Sequence, residues 1–259
     1  MGEHAIPNGL KYLLITLLAA HFVGDFLFQS ETLSEAKCEN KWYLLLHTSI
    51  VAGLSYGLCG IWDLWLIPVV IFVTHILLDR LKGHSQQWQS FLLDQAGHIG
   101  IIFILSWFLV IYPLPASLMF LTTRPLPSPY WLNIFGPFYS KFLVVSSAFV
   151  VAVLGGAILV QLYVDPLLQQ MSNRESQGLK GAGKKIGQLE RTLILIFVLV
   201  GEITAVGFLV AAKSIFRFGE LKNSQKRKEA EYIIIGTFIS FLVALIIGYV
   251  ACIVLKGLQ

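Results

Sequence analysis

Three histidine and aspartate pairs stand four residues apart inside apolar sequence: His21/Asp25, His75/Asp79 and Asp94/His98. On an α-helix that spacing stacks both side chains on one face, one turn apart, so each pair is able to close on a common ion or a proton path. Burying such groups in hydrocarbon is costly, on the order of 2.5 to 3.5 kcal/mol for an aspartate on insertion scales. Three pairs of this kind therefore point to a working site.

The chemistry open to these residues is that of nitrogen and oxygen ligands. Without thiolate, the set suits zinc first, with manganese or iron as alternatives, and it has room for one metal with supporting residues or for two. A divalent transition metal lowers the pKa of its bound water to about 7, which yields a hydroxide able to attack an ester, amide or phosphoester. His21, Asp25, His47, His75, Asp79, Asp94 and His98 are the expected metal ligands. One of Asp25, Asp79 and Asp94 is a candidate general base on the attacking water. Gln29, Gln95 and Lys82 are candidates for holding the developing negative charge. His47 alone would equally suit a helix-to-helix hydrogen bond. His84, in a short polar loop, is divided between a solvated residue and a lid, and His4 reads as a solvated end residue.

The elements that must position these residues are membrane helices. Only 13% of the residues are charged, against about 25% in soluble domains, and mean hydropathy is +0.73, so the expected class is an all-α, polytopic transmembrane bundle. Because about 20 apolar residues span the hydrocarbon core, seven crossings are expected. They run Asn8 to Phe28, Trp42 to Cys59, Ile61 to Leu78, Phe91 to Tyr112, Phe138 to Val164, Thr192 to Ala212 and Tyr232 to Leu255. The first is read as a retained span rather than a signal peptide, since cleavage would discard half of one His/Asp pair. The formal charge of +4 then concerns loops and lipid headgroups, and no basic helix with interleaved aromatics suggests nucleic acid. Cys38, Cys59 and Cys252 have no paired spacing and read as free thiols.

Three segments follow. Residues 1–112 form a four-span half that carries every candidate ligand. Residues 113–137, with Pro113, Pro115, Pro125, Pro127, Pro129 and Pro137 among Tyr130, Trp131 and Phe135, read as a helix-blocking interfacial loop. Residues 138–259 form a three-span half. In an alternating topology His21, Asp25 and Gln29 leave span one, His47 enters span two, His75 and Asp79 leave span three, and Asp94 and His98 enter span four. All of them fall on one side of the membrane.

The runs His21-Phe22-Val23-Gly24-Asp25-Phe26-Leu27-Phe28-Gln29, His47, His75 to Lys82 and Asp94-Gln95-Ala96-Gly97-His98 resemble an uncharacterised bacterial and phage polytopic membrane family, domain of unknown function 3307. Gly187-Gln188-Leu189-Glu190-Arg191, Gly207-Phe208, Ala211-Ala212-Lys213-Ser214 and Ala230-Glu231-Tyr232 extend the likeness into the second half. The resemblance implies a location in the bacterial inner membrane and a polar site, without an established reaction.

In the second half, Glu202 is expected in the middle of span six, where a carboxylate must face protein or water. Lys213, Arg217 and Glu231 are expected to clasp spans six and seven on the face away from the histidines. Asp165 to Gln188 and Phe216 to Glu229 read as exposed polar loops, and Gly181-Ala182-Gly183-Lys184 follows no strand and so forms no phosphate loop. Counted by loop, lysine and arginine divide almost evenly between the two sides. They would favour a cytoplasmic histidine side if span six were re-entrant.

The reading these observations favour is an integral membrane, metal-dependent hydrolase of an amphiphilic or lipid-linked ester or phosphoester, since a site just beneath one surface admits a headgroup laterally and water from the loops. A metal-ion or proton-coupled transporter, and a non-catalytic effector or anchor with a structural metal, are the alternatives. The expected partners are membrane lipid, a further copy of the chain, and a soluble protein at the polar loops.

Overall fold

A computed structural model describes residues 8–83, 85, 87–111, 129–169, 181–218 and 224–259. His4, His84 and Pro113 to Pro127 lie outside the described residues. Every described element is helical, and the Cα positions divide into two compact units at Ser147 and Ala148, downstream of the proline-rich segment and inside a long helix.

The first unit is a bundle of α1 (Asn8–Phe22), α2 (Glu31–Glu39), α3 (Lys41–Cys59), α4 (Leu66–Lys82) and α5 (Trp88–Ile111), followed by α6 (Tyr130–Phe135) and most of α7 (Pro137–Phe149). Its burial pattern is reversed from that of a soluble protein. His21, His47, His75 and His98 are buried, while Leu46, Val73, Leu77, Phe103, Ile104 and Trp107 are exposed on the bundle's outer surface. An apolar exterior around a polar interior is what lipid selects. Among the described residues, five helical stretches are long and apolar enough to cross a membrane: Asn8–Leu27, Lys41–Cys59, Trp88–Ile111, Pro137–Leu167 and Ile233–Lys256. This is a membrane protein by length and composition.

The expected third span, Ile61 to Leu78, is shifted four to five residues along the chain, to Leu66–Lys82. Gly60, at φ +62, ends α3 in the left-handed region, Trp62 and Asp63 form a turn, and α4 starts only at Leu66 with Pro68 tolerated in its first turn. Its 17 residues, about 26 Å of helix, sit at the short limit for a crossing.

The C-terminal end of α3 explains why the proline-rich segment is not wholly irregular. Helix ends leave backbone carbonyls without intrahelical donors. Here the Trp131 indole N–H donates to Gly57 O at 2.6 Å, the Tyr139 hydroxyl to Leu58 O at 2.7 Å, the Tyr12 hydroxyl to Cys59 O at 2.8 Å and the Tyr130 N–H to Gly60 O at 3.0 Å. Helix α6 therefore exists to dock Trp131 and Tyr130 on that end, which corrects the expectation of a helix-free loop up to Pro137. The other end of α3, where His47 lies, is free to form the site.

The second unit contains the rest of α7, a π-helical stretch Val150–Gly155, α8 (Gly156–Gln169), α9 (Ala182–Val200), α10 (Ile203–Phe218) and α11 (Ser224–Lys256). The expected sixth span is two helices. Gly201, at φ +91, caps α9 and the Glu202 N–H donates to Phe197 O at 2.7 Å, a Schellman arrangement that stops the helix where the hydropathy runs on. Lys213 on α10 then reaches back to Glu190 on α9 at 2.6 Å, so the two helices form an antiparallel hairpin. Helix α11 consequently runs parallel to α9: Arg191 bonds Ser240, and further along the Cys252 thiol contacts Val198 O. Glu202 is thus an exposed turn residue, not a mid-span carboxylate. Lys213, expected in a clasp between spans six and seven, pairs with Glu190 within the hairpin. The polar connections are also more helical than expected, since α8 runs through Asp165 to Gln169, α9 covers Ala182 to Gln188, and α11 starts at Ser224.

Candidate metal centre

Four helices bring the polar layer together in the first unit. His21 ends α1, Asp25 follows in a π-helical turn Val23–Leu27, His47 lies in the second turn of α3, His75 and Asp79 on the last turns of α4, and Asp94 and His98 on the first turns of α5. All seven side chains are buried. Ring centroids of His21, His75 and His98 are 4.1 to 5.7 Å apart, and those of His47 and His75 are 5.0 Å apart.

The π-turn modifies the simple one-face reading of the first pair. A π-turn inserts an extra residue into the helix and so rotates the residues that follow it, a feature frequent at functional sites. Asp25 Oδ1 lies 3.8 Å from His21 Nδ1 but nearer to residues of other helices, at 3.3 Å from His75 Nε2 and 3.4 Å from His47 Nε2. Gly24 permits this approach: a Cβ there would meet Val51 Cγ2 on α3 at 2.7 Å.

Asp25 Oδ1, His47 Nε2 and His75 Nε2 form a triangle with edges of 3.1, 3.3 and 3.4 Å. Ligand distances of about 2.0–2.1 Å around a tetrahedral ion place ligand atoms roughly 3.3 Å apart, so this triangle has the size of one face of such a tetrahedron. Asp25 Oδ1 makes no well-aligned hydrogen bond with its two imidazole neighbours, and His98 Nε2 and Asp94 Oδ1, 3.5 Å apart, are likewise buried without a well-aligned partner. A buried carboxylate oxygen without a donor is destabilising unless a cation completes it. Two further sets, His21/His75/His98 and Asp79/Asp94/His98, also bring their ligand atoms close enough to share an ion.

The remaining candidates have different places. The His21 Nε2–H donates to Gln95 Oε1 at 3.2 Å, and Gln95 Nε2 donates to Asp25 Oδ2 at 3.2 Å and Asp94 Oδ2 at 3.4 Å. Gln95 thus orients its neighbours and leaves Nδ1 as the unprotonated nitrogen of neutral His21. Lys82 is not a free cation, because its ammonium binds Asp94 Oδ2 at 2.9 Å. Gln29 lies above the layer and accepts from Lys37 at 3.1 Å.

Lys37 is the residue that sequence reasoning missed, having been counted only as a loop charge. It comes from α2, which Ser30 caps by accepting from the Leu33 N–H, and its ammonium donates to both Asp79 oxygens at 2.9 Å. Asp79 Oδ2 is 3.8 and 3.9 Å from His47 and His75 Nε2, outside the tight triangle. The polar Glu31–Glu39 run, separated from His47's helix by Asn40 alone, was the available signal that a lid carries a lysine here. With Asp79 and Asp94 each held by an ammonium, Asp25 is the carboxylate left for a cation.

Beneath the layer lies a small cavity lined by His21, His75, His98, Ser55 and Thr74, closed by Val51, Ile71 and Ile102. Beyond it the bundle is filled by Leu13, Leu17, Leu64, Ile67, Leu105 and Leu109.

Residues 13–124 match the family described as "Protein of unknown function (DUF3307)". That segment is similar to the family, and the likeness covers less than half of the chain. The segment contains every candidate ligand, whereas the second-half residues Gly187 to Tyr232 lie beyond the match. No curated protein and no solved structure matches the chain.

Proposed function

We propose that the DUF3307 segment is an integral membrane, metal-dependent hydrolase that acts on an amphiphilic or lipid-linked ester or phosphoester. The observation that carries this reading is the triangle of Asp25 Oδ1, His47 Nε2 and His75 Nε2, sized for one ion and holding a carboxylate oxygen without a well-aligned donor. Zinc suits the nitrogen and oxygen set best. When bound, the metal supplies Lewis acidity and an acidified water. Asp25, His47 and His75 would hold it, with His21 and His98 beside them. Gln95 fixes the His21 tautomer and Asp25 at once. Lys37 and Lys82 are placed to receive the anionic part of a substrate by releasing Asp79 and Asp94. Helix α2 and the ends of α1 and α4 form the rim through which a headgroup would reach the layer.

A carrier needs a polar trail beyond its binding site. Among the described residues of the first unit the layer is instead followed by Ser55 and Thr74, whose hydroxyls donate to carbonyls of their own helices, and then by the leucine core. That favours a site entered and left from one rim.

The test is turnover by the purified full-length protein in mixed micelles, with a chromogenic acyl ester and a chromogenic phosphodiester as probes. Hydrolysis of one of them, abolished by a chelator, restored by zinc and reduced by at least about 100-fold in Asp25→Asn and His75→Ala, is the expected result. Equal turnover in the variants, or none in zinc-loaded wild type with either probe, would contradict the assignment.

A further inference from the structure

The second unit holds a cavity of about 550 Å³ that the candidate metal centre does not use. Its size falls within the range of small-molecule sites, roughly 300–1,000 Å³. The walls are largely apolar, with Val160 and Val164 of α8, Ile186 of α9 and Ile233 of α11 among them. Five charged residues also line it: Asp165, Lys184, Glu190, Arg191 and Lys213. Glu190 is taken by Lys213 at 2.6 Å.

Arg191 is the unusual member. Only 2% of it is exposed, and its guanidinium meets neutral acceptors alone, Ser240 Oγ at 2.8 Å and Val153 O at 3.1 Å. Nε is buried without a hydrogen-bond partner, and the adjacent carboxylate, Glu190, acts on the guanidinium only from a distance because it binds Lys213. A buried guanidinium without a counter-charge is costly, and its unused N–H groups match an oxyanion. The same cavity is lined by the start of α9, where Gly181, at φ +79, gives the helix no side-chain cap. Uncapped N–H groups at that end also favour an anion. The Gly181-Ala182-Gly183-Lys184 run, which follows no strand, thus forms the N-terminal turn beside this cavity. Gly187 keeps the space over the guanidinium clear, since a Cβ there would sit 3.2 Å from Arg191 Nη1.

We propose that this cavity binds the oxyanion headgroup of an amphiphile, with Arg191 as the counter-charge and the Val160, Val164, Ile186 and Ile233 walls against its apolar chain. Arg191, hydrogen-bonded only to neutral acceptors, calls for an anion. The apolar walls assign that anion to an amphiphile rather than to free phosphate. The inference does not depend on the hydrolase reading.

Calorimetric titration of the full-length protein in a non-ionic detergent tests it, with three probes: short-chain phosphatidate, the corresponding uncharged diacylglycerol and inorganic phosphate. Phosphatidate should bind, and the other two should bind at least tenfold more weakly. Arg191→Gln should weaken phosphatidate binding by tenfold or more. Because that buried residue also supports the fold, Ile186→Glu provides a second variant: Ile186 is exposed, so the ligand-free melting temperature should stay the same while phosphatidate binding falls by a similar factor. Absence of phosphatidate binding, equal binding of the diacylglycerol, equal binding of inorganic phosphate, or full affinity in a folded Ile186→Glu protein would each overturn the proposal.

Discussion

At the residue scale, the site is governed by which carboxylate is left for a cation. Lys37 and Lys82 occupy Asp79 and Asp94, and Gln95 holds the second oxygen of Asp25. Two outcomes follow from that division. Gln95→Leu removes the bond that orients both His21 and Asp25, so metal affinity measured by chelator competition should fall by about 10- to 100-fold with the fold retained. Lys37→Met removes a positive charge beside the ion and releases Asp79 toward His47 and His75, so affinity should instead rise by about three- to tenfold. A fall in the Lys37 variant would mean that the lysine builds the site rather than competing with the ion. The ligand types and their convergence were legible in the sequence because histidine and aspartate at four-residue spacing have few other reasons to lie in apolar helices. The lysine pairings were not. They depend on how far α2 and the end of α4 fold back over the layer, which no local spacing encodes.

At the element scale, two devices hold the site. Gly24 allows the π-turn to press against Val51, and Gly24→Ala should lower stability by about 1–3 kcal/mol in detergent denaturation. The added Val51→Ala change should recover most of that loss, because it removes the atom that clashes. At the far end of α3, Tyr139→Phe leaves Leu58 O without its donor and should cost about 1–3 kcal/mol, with metal content unchanged. Helical class and most crossings were readable from apolar length. Boundaries set by single glycines were not: Gly60 and Gly201 end their helices through left-handed caps inside stretches whose hydropathy continues. For the same reason Glu202 reads as a mid-span residue when a helix is drawn through it, and as a turn residue when the hairpin forms.

At the scale of the whole molecule, the hairpin changes how charge is distributed along the chain. In the second unit it returns α10 to the end from which α9 started, so the helix end that bears Lys184, Lys185 and Lys213 is also the end at which α11 begins, opposite Lys256. In the first unit Lys37, Lys41, Arg80 and Lys82 crowd the histidine end, while Lys11 and Lys141 lie toward the other. The positive-inside rule predicts, for each unit taken by itself, a cytoplasmic basic end. An impermeant thiol reagent applied to spheroplasts of a strain carrying Gly183→Cys should label it only after lysis, whereas Gln259→Cys should be labelled in intact spheroplasts. The reverse pattern would invert the topology. Loop charges counted without the hairpin are balanced between the sides, which is why orientation could not be read from the sequence.

The buried layer's affinity for a metal underlies everything said of the first unit, and X-ray absorption with elemental analysis of protein purified without chelators measures it directly. The expected result is about one divalent metal per chain with a shell of nitrogen and oxygen at about 2.0–2.1 Å and no sulfur, lost in His75→Ala and in Asp25→Asn while both variants stay folded. A folded wild-type protein that carries no metal and takes up none on zinc loading would contradict it.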